Sequence, residues 1–300
     1  MKIQILGCGA WGTALAEVLL RNGHEVVQTS HRDPSRWTPN SDYIVWAIPS
    51  RYLRSYLKQW SPPKVGVISV TKGIEPETCH RVSEVINEAW GDVPYAVLSG
   101  PSFAKEVKAQ QPTAIVAASR DDALSQAVQQ LFHRPEFRVY RSDDVTGVEL
   151  GGALKNVYAI AAGLCAGLKL GDNSLAALVT RALAEMMRVG VTLGGRFQTF
   201  MGLSGVGDLM LTCYGAQSRN RSFGVALAEK KMPYETILPK MSGVVEGVTT
   251  VKAVRHLARQ HHIVAPIVEE VFQVIYEKKP ASQALHDLLA RPPETERIVG

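Results

Sequence analysis

A lysine set alone in an apolar stretch is the first residue whose chemistry asks for a reason. Residues 145–168 carry only two charges, Glu149 and Lys155, and Lys155 stands with Asn156 between Leu154 and Val157. An ammonium is expensive to bury unless it is paired or put to use. Desolvation or a cationic neighbour would lower its pKa toward the range where acid/base transfer is efficient. The spacing fits equally a lysine on an amphipathic edge whose head reaches solvent. Lys72 follows the apolar run 65–70 and precedes Gly73. It either points into a crevice or lies on a surface turn. Asp208 is the one carboxylate in the Gly-rich break 202–209, and its plainer role would be to cap the helix that follows. Gln217-Ser218-Arg219-Asn220-Arg221 gathers donors in one place. Arg219 suits bidentate phosphate binding, with Ser218 and Asn220 adding hydrogen bonds. A basic helix start on the surface is the alternative.

Near the N-terminus a second chemistry is written in glycines. Lys2-Ile3-Gln4-Ile5-Leu6 is a β-prone run, and Gly7-Cys8-Gly9-Ala10-Trp11-Gly12 follows at once. Residues 13–20 have helical composition, Gly23 stops them, and residues 25–29 read as a second strand. Strand, GxGxxG, helix and strand within about thirty residues make a dinucleotide site. Gly7 allows the tight turn, Gly9 lets a pyrophosphate approach the backbone, and Gly12 lets helix pack on strand. The helix N-terminus then meets the phosphates. After the second strand an NAD site wants a carboxylate for the ribose hydroxyls. Here Ser30-His31-Arg32 comes first and Asp33 only afterwards. Donors and a fixed positive charge suit a 2′-phosphate, so NADPH, or use of both cofactors, is expected. Otherwise Arg32 is a solvated turn residue.

The elements that position these residues change character along the chain. Strands are predicted at 43–48, 65–70, 95–98, 113–118 and 137–140. Helices are predicted at 51–59, capped by Ser50, at 78–90 and at 122–132. Strands alternating with helices predict a parallel, doubly wound sheet with ligands beyond its carboxyl ends. Lys72 and the 100–104 loop fall at those ends. From about residue 144 helical periodicity takes over: a long helix at 145–168, bent at Gly151-Gly152, another at 173–194, and one from Val244 to about His261. The expected fold is α/β, an N-terminal Rossmann-type doubly wound parallel sheet in residues 1–143 followed by an all-α C-terminal domain in 144–300. A length of 300 residues agrees with two domains, and the tail from Arg291 reads as loose.

Composition narrows the class further. Hydrophobic residues make up 46% and charged residues 20%, which argues against a disordered chain. The longest apolar run, 157–168, is too short for a spanning helix. Net charge is +5 but no dense Lys/Arg block appears, so small anionic ligands fit better than nucleic acid. Cys8, Cys79, Cys165 and Cys213 form no CxxC pair. Buried, reduced thiols in a cytoplasmic protein are expected, with no metal site and no signal peptide.

Taken together, the strings GCGAWGTALA at 7–16, TKGIEPET at 71–78, SGPSFAKEV at 99–107, ELGGALKNVYAIAAG at 149–163, TRALAEM at 180–186, GLSGVGDLMLTC at 202–213, QSRNRSFG at 217–224 and VVEGVTT at 244–250 resemble the bacterial NAD(P)-dependent glycerol-3-phosphate dehydrogenase family. They span nearly the whole chain in family order. The resemblance implies reversible reduction of dihydroxyacetone phosphate to sn-glycerol 3-phosphate by NADPH or NADH, for glycerophospholipid synthesis. It implies Lys155 as acid/base, with Lys72 and Asp208 as polar partners around the substrate oxygens. Ser218, Arg219 and Asn220 would hold the substrate phosphate, Arg219 lying also near the cofactor. Gly100, Ser102 and Ala104 would line the substrate–nicotinamide side. Ala10, Trp11, His31, Arg32, Val244 and Glu246 match cofactor positions. A homodimer and feedback by the product are expectations of the same kind.

One departure is local. Only twelve residues separate Ser30 from Tyr43, where family members carry a few tens more. The missing segment belongs to the adenine end, so catalysis is expected to survive while adenine contacts and 2′-phosphate selectivity are in question. Two rival readings remain at this stage. A 3-hydroxyacid or 2-oxoacid reductase of similar two-domain architecture also uses a mid-chain helical lysine, but has no use for the 218–220 cluster. A non-catalytic NADPH sensor would explain the shortened adenine side, but not Lys72, Lys155 and Asp208 together.

Overall fold

The architecture comes from a computed structural model that describes residues 1–30, 40–230, 232–292 and 295. Seven strands form one sheet: β1 (Lys2–Leu6), β2 (Glu25–Thr29), β3 (Tyr43–Trp46), β4 (Gly66–Ser69), β5 (Tyr95–Ser99), β6 (Thr113–Ala118) and β7 (Phe137–Ser142). Their order is β2-β1-β3-β4-β5-β6-β7. Strands β1 to β5 run parallel, with Leu6 opposite both Thr29 and Trp46. The expected all-parallel sheet is corrected at one place: β6 is antiparallel to β5, and β7 follows it parallel.

Side-chain alternation assigns the two faces. Ile44 and Trp46 point to one layer, where Trp60 and Trp90 each meet Trp46 edge-on at 5.8 Å. Val45 points to the other, with Ile3, Ile5, Ile68 and Leu98. Helices α1 (Ala10–Arg21) and α5 (Asp122–Phe132) cover the second face through Leu15, Leu19, Val128 and Phe132. Helices α2 (Leu53–Leu57) and α3 (Val82–Trp90) cover the first through Leu53, Leu57, Val85 and Ile86. The short α4 (Ala104–Lys108) follows β5.

Two helical expectations change here. Ser50 begins a 3-10 turn, Ser50–Tyr52, and its side chain does not cap the helix. Helix α3 starts at Val82, not at 78. Cys79 has φ 61°, an Ile74–Arg81 bridge closes the preceding loop, and the Arg81 N–H donates to Glu84, which sets the helix start.

The second half is built round α6 (Val145–Gly167). It is apolar on all sides and buried almost throughout, which marks a central helix. It runs as one continuous helix through Gly151-Gly152. Its glycines allow close approach. A Cβ on Gly151 would stand 2.4 Å from the Ser204 carbonyl oxygen, and one on Gly163 2.1 Å from that of Arg221. Around α6 lie α7 (Asp172–Thr192), α8 (Phe197–Phe200), a π-helical turn at Leu203–Gly207, α9 (Asp208–Tyr214), α10 (Arg219–Lys230), α11 (Tyr234–Ile237), α12 (Glu246–Gln260), α13 (Pro266–Tyr276) and α14 (Ala281–Leu289). Sequence reading gave no place to α4, α8, α11, α13 or α14. Among the described residues no helix is long and apolar enough to cross a membrane. Cys165 and Cys213 are buried, but Cys8 is exposed in the glycine loop and Cys79 half-buried, which corrects the expectation of four buried thiols.

Candidate functional site

Two groups of residues converge beyond the carboxyl ends of the strands. The first is the glycine loop between β1 and α1. Gly7 has φ 124°, and a Cβ on it would stand 2.4 Å from the Ala47 carbonyl oxygen. A Cβ on Gly12 would stand 2.3 Å from the Gly7 oxygen, so any side chain would push helix from strand. Gly9, by contrast, has nothing within 4 Å of its absent Cβ: the space before it is open. Gly9 is the N-cap of α1, no side chain caps that helix, and no acidic residue sits in its first turn. The free N–H groups and the positive end of the helix dipole therefore face this opening, as an anionic pyrophosphate requires. Ala10 and Trp11 open the helix beside it. His31 and Arg32 lie outside the described residues.

The second group surrounds Lys155. Its Nζ donates to Asp208 Oδ1 at 2.5 Å and to Thr212 Oγ1 at 2.9 Å, and the residue is only 7% exposed. The solvent-reaching alternative is thereby excluded. Lys72, just beyond β4, donates to the other oxygen of the same carboxylate at 2.7 Å and to the Gly100 carbonyl at 2.8 Å. Asp208 is the first residue of α9 and caps nothing. The close approach at Gly151 presses the π-helical turn onto α6 and so delivers this carboxylate to Lys155.

The Lys155 amine is brought down to about 8: burial lowers it most and nearby Lys72 adds to that, while Asp208 works in the other direction. Burial alone would raise the Asp208 carboxyl, yet the two ammonium groups keep it below the ordinary range. Two lysines and one carboxylate leave one unit of positive charge. The Cys213 thiol nearby is pushed up to about 12 by burial and stays protonated.

Around this trio runs a chain of amides. Asn156 Nδ2 donates to the Lys72 carbonyl at 2.9 Å, and its Oδ1 accepts from Asn220 Nδ2 at 2.9 Å. Asn220 Oδ1 in turn accepts from the Gly247 N–H at 2.9 Å. Lys72, α6, α10 and the start of α12 are thus tied together. Ser218 Oγ accepts from the Arg221 N–H, and Ser102 Oγ donates to the Gly100 carbonyl. Ala104 opens α4 behind this loop. Arg219 is exposed and lies against Gly243, whose absent Cβ would meet its guanidinium at 2.4 Å. Val244 leads into the turn before α12, and Glu246 accepts from Ser50 Oγ at 2.9 Å. Burial raises the Glu246 carboxyl, against the pull of Ser50, Arg219 and Arg51.

Asn156, Thr212 and Ser50 did not enter the list of site residues read from sequence. Asn156 carried a signal, a polar residue next to Lys155 in an apolar run. Thr212 lies one helical turn after Asp208. Ser50 had none, since its partner is 196 positions away. Among the described residues no group of His, Cys, Asp or Glu is arranged to hold a metal ion.

Residues 144–286 match the C-terminus of NAD-dependent glycerol-3-phosphate dehydrogenase, and residues 2–36 and 29–125 match its N-terminus in two pieces. A glycerol-3-phosphate dehydrogenase (NAD(P)+) of Geobacter sulfurreducens is 42% identical over 332 aligned positions, covering 99% of both chains. That alignment is longer than this chain's 300 residues, so the relative carries residues that are missing here. One from Oceanobacillus iheyensis is 42% identical, covering 97% of this chain and 94% of its own. The crystal structure of glycerol-3-phosphate dehydrogenase from Coxiella burnetii superposes with a TM-score of 0.90 at 37% identity, covering 97% of this chain and 99% of that one. On both halves, and over its full length, the chain belongs to the NAD-dependent glycerol-3-phosphate dehydrogenase family.

Proposed function

We propose that this protein reduces dihydroxyacetone phosphate to sn-glycerol 3-phosphate, reversibly, with Lys155 as the acid/base, and that it supplies glycerophospholipid synthesis. The observation that carries this reading is the buried Lys155–Asp208–Lys72 cluster beyond the strand ends, with the Lys155 amine brought down to about 8. Residues 1–143 would form the nucleotide-binding unit and 144–300 the helical unit that supplies the acid/base. The open space before Gly9 and the uncapped start of α1 fit the pyrophosphate of NADPH or NADH. Bound there, the cofactor supplies a hydride to the carbonyl carbon.

The protein's own residues do the rest. Lys155 Nζ, protonated before reduction, gives its proton to the carbonyl oxygen as negative charge develops there, and is left as a neutral amine. Asp208 and Thr212 fix the direction of Nζ, and Asp208 stabilises the charged form that burial opposes. Lys72, bonded to the other oxygen of Asp208, offers electrostatic stabilisation at the same place. The net positive charge of the cluster favours an anionic substrate over a neutral one. Arg219, with Ser218 and Asn220, would receive the substrate phosphate, and Gly100, Ser102 and Ala104 would line the side facing the nicotinamide. Phosphorylated substrate and cofactor do not cross membranes unaided, which supports a cytoplasmic site of action.

The deciding measurement is steady-state NADPH oxidation with and without dihydroxyacetone phosphate. Ketone-dependent oxidation is expected in the wild type. Lys155→Ala should lower kcat by roughly 10²–10⁴ with NADPH affinity nearly unchanged. Turnover that persists in Lys155→Ala would remove that residue from the chemistry.

A further inference from the structure

We propose that Ser50 is a positioning residue for cofactor binding: its hydroxyl holds the Glu246 carboxylate in the orientation in which that carboxylate meets the dinucleotide. This deepens the reading above and rests on Glu246 being a cofactor contact.

Three chain segments meet at this point. Ser50 follows β3 through Pro49 and is 1% exposed. Its hydroxyl caps no helix and instead donates to Glu246 Oε2 at the start of α12. Gly73, next to Lys72 beyond β4, lies against both: a Cβ there would stand 2.4 Å from Ser50 Oγ and 2.8 Å from Glu246 Oε2. Space for the contact exists only because residue 73 has no side chain. The same strand exit touches the nucleotide loop, since Ala47 is the residue against which Gly7 turns. Ser50 therefore ties the start of α12 to the edge of the glycine loop and to the neighbour of Lys72.

The chemistry explains why a hydroxyl stands there. A nicotinamide dinucleotide presents hydroxyl and carboxamide N–H donors, and an ionised carboxylate, which only accepts, meets them with both oxygens. Burial opposes that ionisation. The groups that favour it are Ser50 itself, Arg51 on the same turn and Arg219 from α10. Without the Ser50 hydroxyl, Glu246 loses a donor that favours its anion and fixes its rotamer. It would then take up a proton at higher pH, and a protonated carboxyl presents a donor where the cofactor needs an acceptor.

NADPH binding to the full-length protein, followed by cofactor fluorescence from pH 6 to 9, tests this. Ser50→Ala should weaken binding roughly tenfold, as for a lost hydrogen bond to a charged group. The loss should deepen as the pH falls, with kcat at saturating NADPH little changed. Gly73→Ala keeps both partners but wedges them apart, and should reproduce the same pH-dependent loss even if Ser50→Ala folds poorly. In a Glu246→Gln background, which has no carboxyl to titrate, Ser50→Ala should add no pH dependence. Wild-type affinity in Ser50→Ala, or a loss of equal size at every pH, overturns the positioning role. A wild-type protein that binds neither NADPH nor NADH overturns the cofactor reading itself, and this proposal with it.

Discussion

The direction of proton flow follows from one side chain. An ordinary lysine amine titrates near 10.5, and burial brings that of Lys155 down to about 8. With Lys155 as the proposed acid, ketone reduction consumes the protonated form, so its kcat should fall as the pH rises through about 8. Alcohol oxidation needs the neutral amine, so its kcat should rise over the same range. Opposite limbs in the two directions, measured from pH 6 to 10 at saturating substrates, are the expected result. Parallel profiles would assign the titration to another group. That Lys155 needs a reason was legible in the sequence, because an isolated charge in an apolar stretch is costly, but the spacing fitted a buried and a solvent-reaching lysine equally. Its partner came only from the family resemblance, not from the residue pattern. Asp208 lies 53 residues on, and the contact exists because the π-helical turn packs against Gly151, which no local pattern announces. Ser50 was missed for the same reason, since its bond closes across to α12, whereas Asn156 carried a local signal beside Lys155 and only its partner on α10 was hidden.

At the level of elements, a second buried carboxylate holds α6 to the sheet. Glu149 accepts from Arg81 Nη1, from the Ser83 N–H and hydroxyl, and from the Tyr95 hydroxyl. It thereby joins the first turns of α6 to the start of α3 and to β5, two turns ahead of Lys155. Removing it leaves several buried donors without an acceptor, although Arg81 keeps Glu84. Glu149→Ala should cost about 3 kcal/mol in urea unfolding, in the range seen when one member of a buried pair is deleted. A stability change below about 0.5 kcal/mol would show that packing alone holds α6 in place. The strands, α1 and α5 were readable from their patterning and from Gly or Asp signals at their ends, and α6 from the length of its apolar stretch. The reversal of β6 was not, since no residue pattern separates a parallel from an antiparallel neighbour in a buried sheet. The delayed start of α3 depends on the Ile74–Arg81 turn and the left-handed Cys79, both of which are tertiary. Likewise α13 gains its footing from Glu185, on α7, which accepts from the Ile267 and Val268 N–H groups.

For the molecule as a whole, the distinguishing feature is what the chain lacks. The match to the family's N-terminus breaks between residues 29 and 36, directly after β2. That strand is the outermost of the sheet, and β1 pairs with β3 on its other side without interruption. Shortening at an edge removes no central ladder and leaves the strand ends that carry Lys72 and Gly100 in register with the helices. The consequence belongs to the adenine end, where His31 and Arg32 follow β2 in place of an acidic residue. If Arg32 meets the 2′-phosphate, its guanidinium contributes a charge-assisted hydrogen bond that NADH cannot receive. Arg32→Ala should then lower kcat/KM for NADPH roughly tenfold and leave that for NADH within about twofold, since a hydrogen bond to a charged group is worth at least that much. The kcat at saturating NADPH should hold, because the reading proposed above places Lys155 and Asp208 at the nicotinamide end, away from Arg32. An equal fall with both cofactors would instead make Arg32 a general support of the binding site, and no change with either would return it to solvent.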